Sequence, residues 1–375
     1  QLGIGMELYR TAPADVAGPG GAVASLSVGA THACAVLGTG ALKCWGHNWN
    51  GQLGDGAFTD RSSPVDVTGL GSGVGAVSCG AAHTCALMVG GGVKCWGGNW
   101  ANQLGDGTTQ ERYTPVDVSG LASGVIAVAA GGYHTCALLD TGGVRCWGEN
   151  EAGQLGIGTT MDHSTPQPVI GLAAVTQLTA GGHHTCAVST GGAMRCWGRN
   201  DFGQQGDGTT GPNYTSFPVT GLSSGTASAE CGNMHTCAVT AGGALKCWGG
   251  NYSSQVGDGT STDRTTPTDV AGLASGVSLV AAGDDHTCAV LSTGGVKCWG
   301  DNGSAQLGFG TFDGSTTPAD VSGLASGAVW AGAGSLSTCA LLAGGAVQCW
   351  GARGRGQVGD GGDVWRTTPQ DVLCD

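Results

Sequence analysis

Fourteen of the seventeen cysteines form seven pairs with a constant spacing of ten residues: Cys34/Cys44, Cys85/Cys95, Cys136/Cys146, Cys186/Cys196, Cys237/Cys247, Cys288/Cys298 and Cys339/Cys349. Such pairs can be disulfides, buried thiols or parts of metal sites. The metal reading is poor. Two thiolates fall short of a closed zinc shell, and the nearby histidine lies two residues before the first cysteine on the same segment. Residues directly opposed on antiparallel strands bring their Cβ atoms to about 4.5–5.5 Å, or closer at non-hydrogen-bonded pairs, against the ~3.5–4.5 Å of a disulfide. Seven cross-strand disulfides are therefore expected, with buried free thiols as the alternative. Cys79, Cys231 and Cys374 stand outside the pairs. Cys79 and Cys231 share one place in the second and fifth units, too far apart to meet. An odd cysteine suggests a link between chains or a free thiol, and the alternative for Cys79 and Cys231 is two small apolar side chains.

Other groups recur with the same period. Histidines stand at 32, 83, 134, 184, 235 and 286. A ring of metal-binding histidines can be drawn, but the plain reading is one imidazole per unit bonded to a neighbouring backbone group. Asp55, Asp106, Asp207, Asp258 and Asp360 lie in GDG or GDGG turns without the spacing of known calcium loops. Tryptophans at 45, 96, 147, 197, 248, 299 and 350 could suggest light sensing, yet each holds one structural position and reads as core. Sequons begin at Asn213, Asn251 and Asn302. No Ser/His/Asp set, phosphate loop or carboxylate pair rises above the repeat. No cofactor, no metal and no enzymatic activity are expected.

The elements that carry these groups follow from one copy, HTCALLDTGGVRCWG at His134 to Gly148. Two β-branched or apolar runs flank a short Gly-containing loop, a hairpin signal. With Cys136 opposite Cys146, the loop is Asp140-Thr141-Gly142, and Gly142 takes positive φ. Alternation puts Cys136, Leu138, Val144 and Cys146 on one face and Thr135, Ala137, Leu139, Arg145 and Trp147 on the other. Both faces are bulky, as a sheet packed on both sides requires. The hairpin returns seven times, fifty or fifty-one residues apart. A period of that size marks a propeller or solenoid.

The repeat assigns the 375 residues to one domain, with units of about 1–51, 52–102, 103–153, 154–203, 204–254, 255–305 and 306–356 and an extra half unit, 357–375. The segment from QLG to PxDV occurs eight times, so residues 1–18 and 357–375 compete for one place at the ring's closure. Either the ends lie side by side or one is displaced, and a displaced end could complete a unit of another molecule and build an assembly. The formal charge of −13 argues against nucleic acid and anionic membrane surfaces. Six of the fourteen basic residues, Lys43, Lys94, Arg145, Arg195, Lys246 and Lys297, share one repeat position and read as architecture. No run of eighteen apolar residues occurs, so no membrane-spanning helix is expected. Paired cysteines in this number imply an oxidising compartment, extracellular or cell-surface. No secretory leader is visible, and the opening QLGIG stands mid-repeat, which reads as a mature or trimmed product.

The pattern GxxHTCALxxGGVKCWGxNxxGQLGDGT resembles the repeat of the regulator of chromosome condensation family along the whole chain. The resemblance implies an all-β, seven-bladed β-propeller of four-stranded blades. Family members include an exchange factor for a small GTPase, a plant ultraviolet-B photoreceptor and a bacterial inhibitor of β-lactamase, so the fold alone does not choose a function. The cysteine pairs are not general to the family.

What differs between units bears on function. The loop after Trp-Gly carries Trp49, Trp100, Glu151, Phe202 and Tyr252, and the residue before each histidine varies as Thr31, Ala82, Tyr133, His183, Met234 and Asp285. Exposed aromatics on propeller loops point to a binding surface. The expected function is a secreted, non-enzymatic binding or structural propeller presenting these loops to a protein or glycan partner. The alternative is a regulator of a small GTPase.

Overall fold

The computed structural model describes residues 9–362 and contains strands but no helix there, hence none long and apolar enough to cross a membrane. Seven four-stranded antiparallel sheets form the blades of a propeller. The third blade shows the rule. Its strands are Val125–Ala130, His134–Leu139, Val144–Gly148 and His163–Pro168, from the central lumen outward. Gly142 closes the hairpin at φ 77°. The second strand is buried on both faces except at its last residue, because neighbouring blades pack on either side. Sequence repeat and blade are offset by one strand: residues 52–102 hold the outer strand of one blade and three strands of the next.

Every blade carries its disulfide across the two middle strands. The bonds are Cys34–Cys44, Cys85–Cys95, Cys136–Cys146, Cys186–Cys196, Cys237–Cys247, Cys288–Cys298 and Cys339–Cys349, each with its Cα atoms 4.1 Å apart. The alternative of buried free thiols falls away for these fourteen residues. Each bridge packs in the apolar layer between its own blade and the next. Cys136 and Cys146, for example, share a buried cluster with Leu138, Val144 and Trp197, the tryptophan of the following blade.

Two hydrogen bonds join consecutive blades. Each repeat tryptophan is fully buried and donates its indole N–H to the carbonyl of Gln52, Gln103, Gln154, Gln204, Gln255, Gln306 or Gln357 in the loop of the preceding blade, at 2.9–3.2 Å. Gly54 shows the tightness of this joint: at φ +71°, an added Cβ would lie 2.6 Å from Trp96 Nε1. The second bond corrects the expectation for the histidines. Their partner is not backbone but the threonine hydroxyl of the next blade, in pairs His32–Thr84, His83–Thr135, His134–Thr185, His184–Thr236, His235–Thr287 and His286–Thr338, at 2.8–2.9 Å. Each threonine hydroxyl donates to the same glutamine carbonyl at 2.7–2.9 Å. It must therefore accept from the imidazole, which fixes the neutral Nε2–H tautomer. Outside, Lys43, Lys94, Lys246 and Lys297 each pair with an outer-strand aspartate at 2.6–2.8 Å. Those aspartates are exposed, so the pairs contribute little stability.

The ring closes within one chain, and the disputed place is divided between the ends. Strand Tyr9–Asp15 supplies the outer strand of the last blade, against Val347–Ala352. The loop before it comes from the other end: Trp45 donates to Gln357, and Ala17 N–H donates to Gly359 O. Asp360 joins the two, accepting from Arg10 Nε at 2.7 Å and Arg353 Nε at 3.0 Å. Residues 1–8 and 363–375, including Cys374, lie outside the described residues.

The closing interface lacks the histidine–threonine contact on both sides, since Ser337 stands for histidine and Ala33 for threonine. Both are buried. Installing Ser337→His and Ala33→Thr together should stabilise the seam by about 1 kcal/mol, while either alone should be neutral or destabilising. Urea unfolding of the four proteins measures this coupling, and strict additivity would refute it.

Candidate functional site

At one end of the propeller each blade presents two loops: the short turn into the histidine strand and the longer loop after Trp-Gly. The longer loop is built on buried amides. Asn48 Oδ1 accepts from Leu53 N–H at 3.0 Å, and Asn48 Nδ2 donates to Asp55 and to Ala57 O. Equivalent bonds recur through Asn99, Asn150, Asn200, Asn251 and Asn302. This frame holds six of the seven loops, and the residue after each asparagine lies on the outer side of the loop. That residue is Trp49, Trp100, Glu151, Asp201, Tyr252 or Gly303 in turn; in the seventh loop Arg353 stands in place of the asparagine and Gly354 follows it.

Trp49, Trp100 and Tyr252 are 64%, 50% and 55% exposed, Glu151 is exposed, and Phe202, one position later, is half-buried. They do not form one patch. The Arg355 guanidinium lies 4.5 Å from the Trp49 ring centroid, a cation–π contact. Beside it, His47 Nδ1 bonds Asp60 at 3.0 Å. A chain of rings then runs from Trp100 to Tyr133 (5.8 Å) and to His183 (6.3 Å), whose Nδ1 meets Glu149 Oε2 at 2.8 Å. A cavity of 360 Å³ follows, lined by Glu149, Glu151, His183, Arg199, Asp201 and Tyr214. Tyr252 lies on the other arc and donates to Asp285. There burial and then Asp301 raise the Asp285 carboxyl, and burial and then Asp285 raise Asp284. The face thus has an aromatic arc on blades one to four and an acidic arc on blades five and six. The loop reading singled out the outer aromatics. Glu149 and Arg355 escaped it because their partners lie in other units.

The remaining candidates have structural roles. Both halves of every disulfide are fully buried, so Cys34, Cys85, Cys136, Cys186, Cys237, Cys288 and Cys339 and their partners Cys44, Cys95, Cys146, Cys196, Cys247, Cys298 and Cys349 hold the blades and leave the loop face to other residues. Burial opposes the charge on Asp55, Asp106 and Asp258, yet Arg61, Arg112 and Arg264 with local N–H and hydroxyl donors hold each carboxyl below its ordinary pKa. Two groups, His32/Cys34/Cys79 and His184/Cys186/Cys231, bring ligand atoms within 4.8 Å of one another. Cys34 and Cys186 are in disulfides, which leaves too few ligands for a closed zinc site. Cys79 and Cys231 are free and buried; burial pushes the Cys79 thiol up to about 12 and raises Cys231 in the same way. The sequons at Asn251 and Asn302 are corrected: both side chains are buried and donate to backbone carbonyls, so neither amide is open to a glycan in the folded chain. Asn213 is half-buried and bonded to Gln205 and Asp207.

Sequence comparison agrees with the ring of blades. Residues 74–374 match the RCC1-like domain, and residues 39–87 and 23–52 match the regulator of chromosome condensation (RCC1) repeat. The chain belongs to the RCC1-repeat family. It is 32% identical to the ultraviolet-B receptor UVR8 of Arabidopsis thaliana over 363 residues, 96% of this chain and 71% of that protein. It is 36% identical over 161 residues to the probable E3 ubiquitin-protein ligase HERC3 of Homo sapiens, 42% of this chain but only 15% of the ligase. Among solved structures, human WBSCR16 shares the fold with TM-score 0.75 at 24% identity, covering 89% of this chain and 88% of WBSCR16. Prp20p of Saccharomyces cerevisiae does so with TM-score 0.71 at 23% identity, covering 88% and 82%. Within this family, the present chain carries a disulfide in every blade.

Proposed function

We propose that the propeller is a non-catalytic binding module that docks a protein partner on its loop face, in an extracellular or cell-surface setting. One observation carries this reading. The asparagines that hold six of the seven loops are buried and recur from blade to blade, while the outward residues differ and include aromatics half or more exposed, Trp49, Trp100 and Tyr252. A scaffold that keeps its frame and varies its tips is organised for recognition, and exposed tryptophan and tyrosine are typical anchors of protein interfaces. The fold is compatible with this use: Prp20p is described by its binding to Gsp1p and histones. The buried disulfides support the oxidising setting.

Replacing Trp49, Trp100 and Tyr252 together by alanine should weaken partner binding at least tenfold, about 1.4 kcal/mol or more. The melting temperature should stay unchanged. Quantitative affinity capture from the medium of the source organism, with parent and variant side by side, gives the partner, and titration gives the affinity. Equal affinity for both proteins would place the contact elsewhere.

A further inference from the structure

The seven inner strands enclose a lumen with two cavities along its length. The upper, of 360 Å³, opens at the loop face, with Tyr133 and His183 at its border. The lower, of 340 Å³, lies deeper. They share the last residue of each inner strand, from Val28 to Ala333, so they adjoin along the lumen. Among the described residues no lysine or arginine lines either cavity. Two carboxylates do: Glu230 in the lower and Asp284 in the upper. Asp284 lies in the turn beyond its inner strand, three repeat positions further towards the loop face than Glu230.

Glu230 is out of pattern. The corresponding inner-strand residues are Ser27, Ser78, Ala129, Thr179, Ala281 and Gly332. One of its oxygens, Oε2, accepts from the Thr179 hydroxyl at 2.9 Å, and that hydroxyl also accepts from Cys231 N–H. Among the described residues the other oxygen has no donor. Enclosure by protein raises this carboxyl to about 7, although its edge touches the lumen. So enclosed, the carboxyl is stabilised either by a proton or by a cation beside its second oxygen, which reaches the lumen. The same cavity holds Trp330, the one aromatic at a position where the other blades carry Ser25, Ala76, Ala127, Gln177, Ser228 and Leu279. Its ring lies over Gly332, where an added Cβ would fall 2.2 Å from the indole. An indole and a lone carboxylate lining one cavity, two blades apart, offer the two surfaces that an organic ammonium requires.

We propose that the lumen binds an alkylammonium ion, with Glu230 as counter-ion, Trp330 as apolar and cation–π surface, and Asp284 at the mouth favouring a second ammonium group. The all-acidic wall excludes anions by the same charge. A straight-chain diamine fits the lumen, because each cavity alone is within the usual size range of small-ligand sites. The site is separate from the loop-face aromatics and does not depend on the partner reading.

Titration with pentane-1,5-diamine at neutral pH, followed by calorimetry and tryptophan fluorescence, tests the site. Saturable binding of one equivalent is expected, with a fluorescence change lost in Trp330→Leu. Glu230→Gln should weaken binding at least tenfold, and Asp284→Asn should weaken the diamine more than pentylamine. Glutarate, of similar length and opposite charge, should not bind. Thermal melts check the fold, and Glu230→Gln should melt no lower than the parent, since it removes a half-satisfied charge. Absence of saturation in the millimolar range, equal affinity in Glu230→Gln, or equal binding of glutarate would each overturn the proposal.

Discussion

Lowering the pH from 7 to 5 should remove most of the propeller's stability. All six inter-blade histidines are buried and held neutral. His32, His83, His184 and His235 are depressed to about 3 and His286 to about 4, chiefly by burial, and His134 is lowered in the same way. Charging one adds a proton at Nδ1, which has no acceptor around it. The folded chain therefore binds fewer protons than the unfolded chain between the depressed values and the ordinary 6.5. Stability is complete above that window and declines as pH falls through it. At pH 5 each histidine accounts for about 2 kcal/mol, and six for on the order of 10 kcal/mol, comparable to the whole stability of a typical domain. Glu230, Asp284 and Asp285 act in the opposite direction, because their raised carboxyls favour the folded state as pH falls. They are fewer, and Glu230 touches the lumen. Acid unfolding centred near pH ~4.5 is expected, steep because several protons enter together. Thermal melts across pH 4–8 measure it, and a melting temperature at pH 5 equal to that at pH 7 would refute the account.

Reduction should have an effect of similar size. Each disulfide closes a loop of ten residues, and removing such a constraint costs about 3 kcal/mol in the chain-entropy picture. All fourteen sulfurs are fully buried, so reductant alone should act slowly on the native protein and completely in denaturant. Once reduced and alkylated, the chain should no longer regain the sheet signal at 37 °C. Replacing Cys136 and Cys146 together by alanine should lower the unfolding free energy by about 3 kcal/mol. Peptide mapping without reductant supplies the control: recovery of the paired cysteines as free thiols would remove the basis of this expectation and of the oxidising setting.

The hairpin, its register and its disulfide were legible because they depend on contacts ten residues apart within one strand pair. Contacts between blades were harder to read, since their partners lie about fifty residues away. The chain does carry a signal for them. The only units without a histidine or a threonine at the shared positions are those of Ser337 and Ala33, the two sides of one interface. Likewise arginine follows the turn aspartate by six residues at Asp55/Arg61, Asp106/Arg112, Asp258/Arg264 and Asp360/Arg366, but Ile4 precedes Arg10. That mismatch announces an aspartate supplied from elsewhere, and the structure brings Asp360. Glu230 and Trp330 went unnoticed for another reason. Alternation along a strand tells which residues share a face, but not which face looks into a lumen.

The divided last blade also decides how the ring answers a pull. Tyr9 lies opposite Ala352, so the free end of the closing strand and the chain running out towards Gly362 leave from the same corner. Tension between them loads the ladder one rung at a time, an unzipping geometry, rather than in shear along its whole length. Asp360, held by Arg10 and Arg353 at that corner, is the latch that must open first. The seven hairpins, each closed by its own sulfur bridge, would keep their loops while the ring around them opens. Mechanically, the molecule is a clasped bracelet with one locked turn in every link.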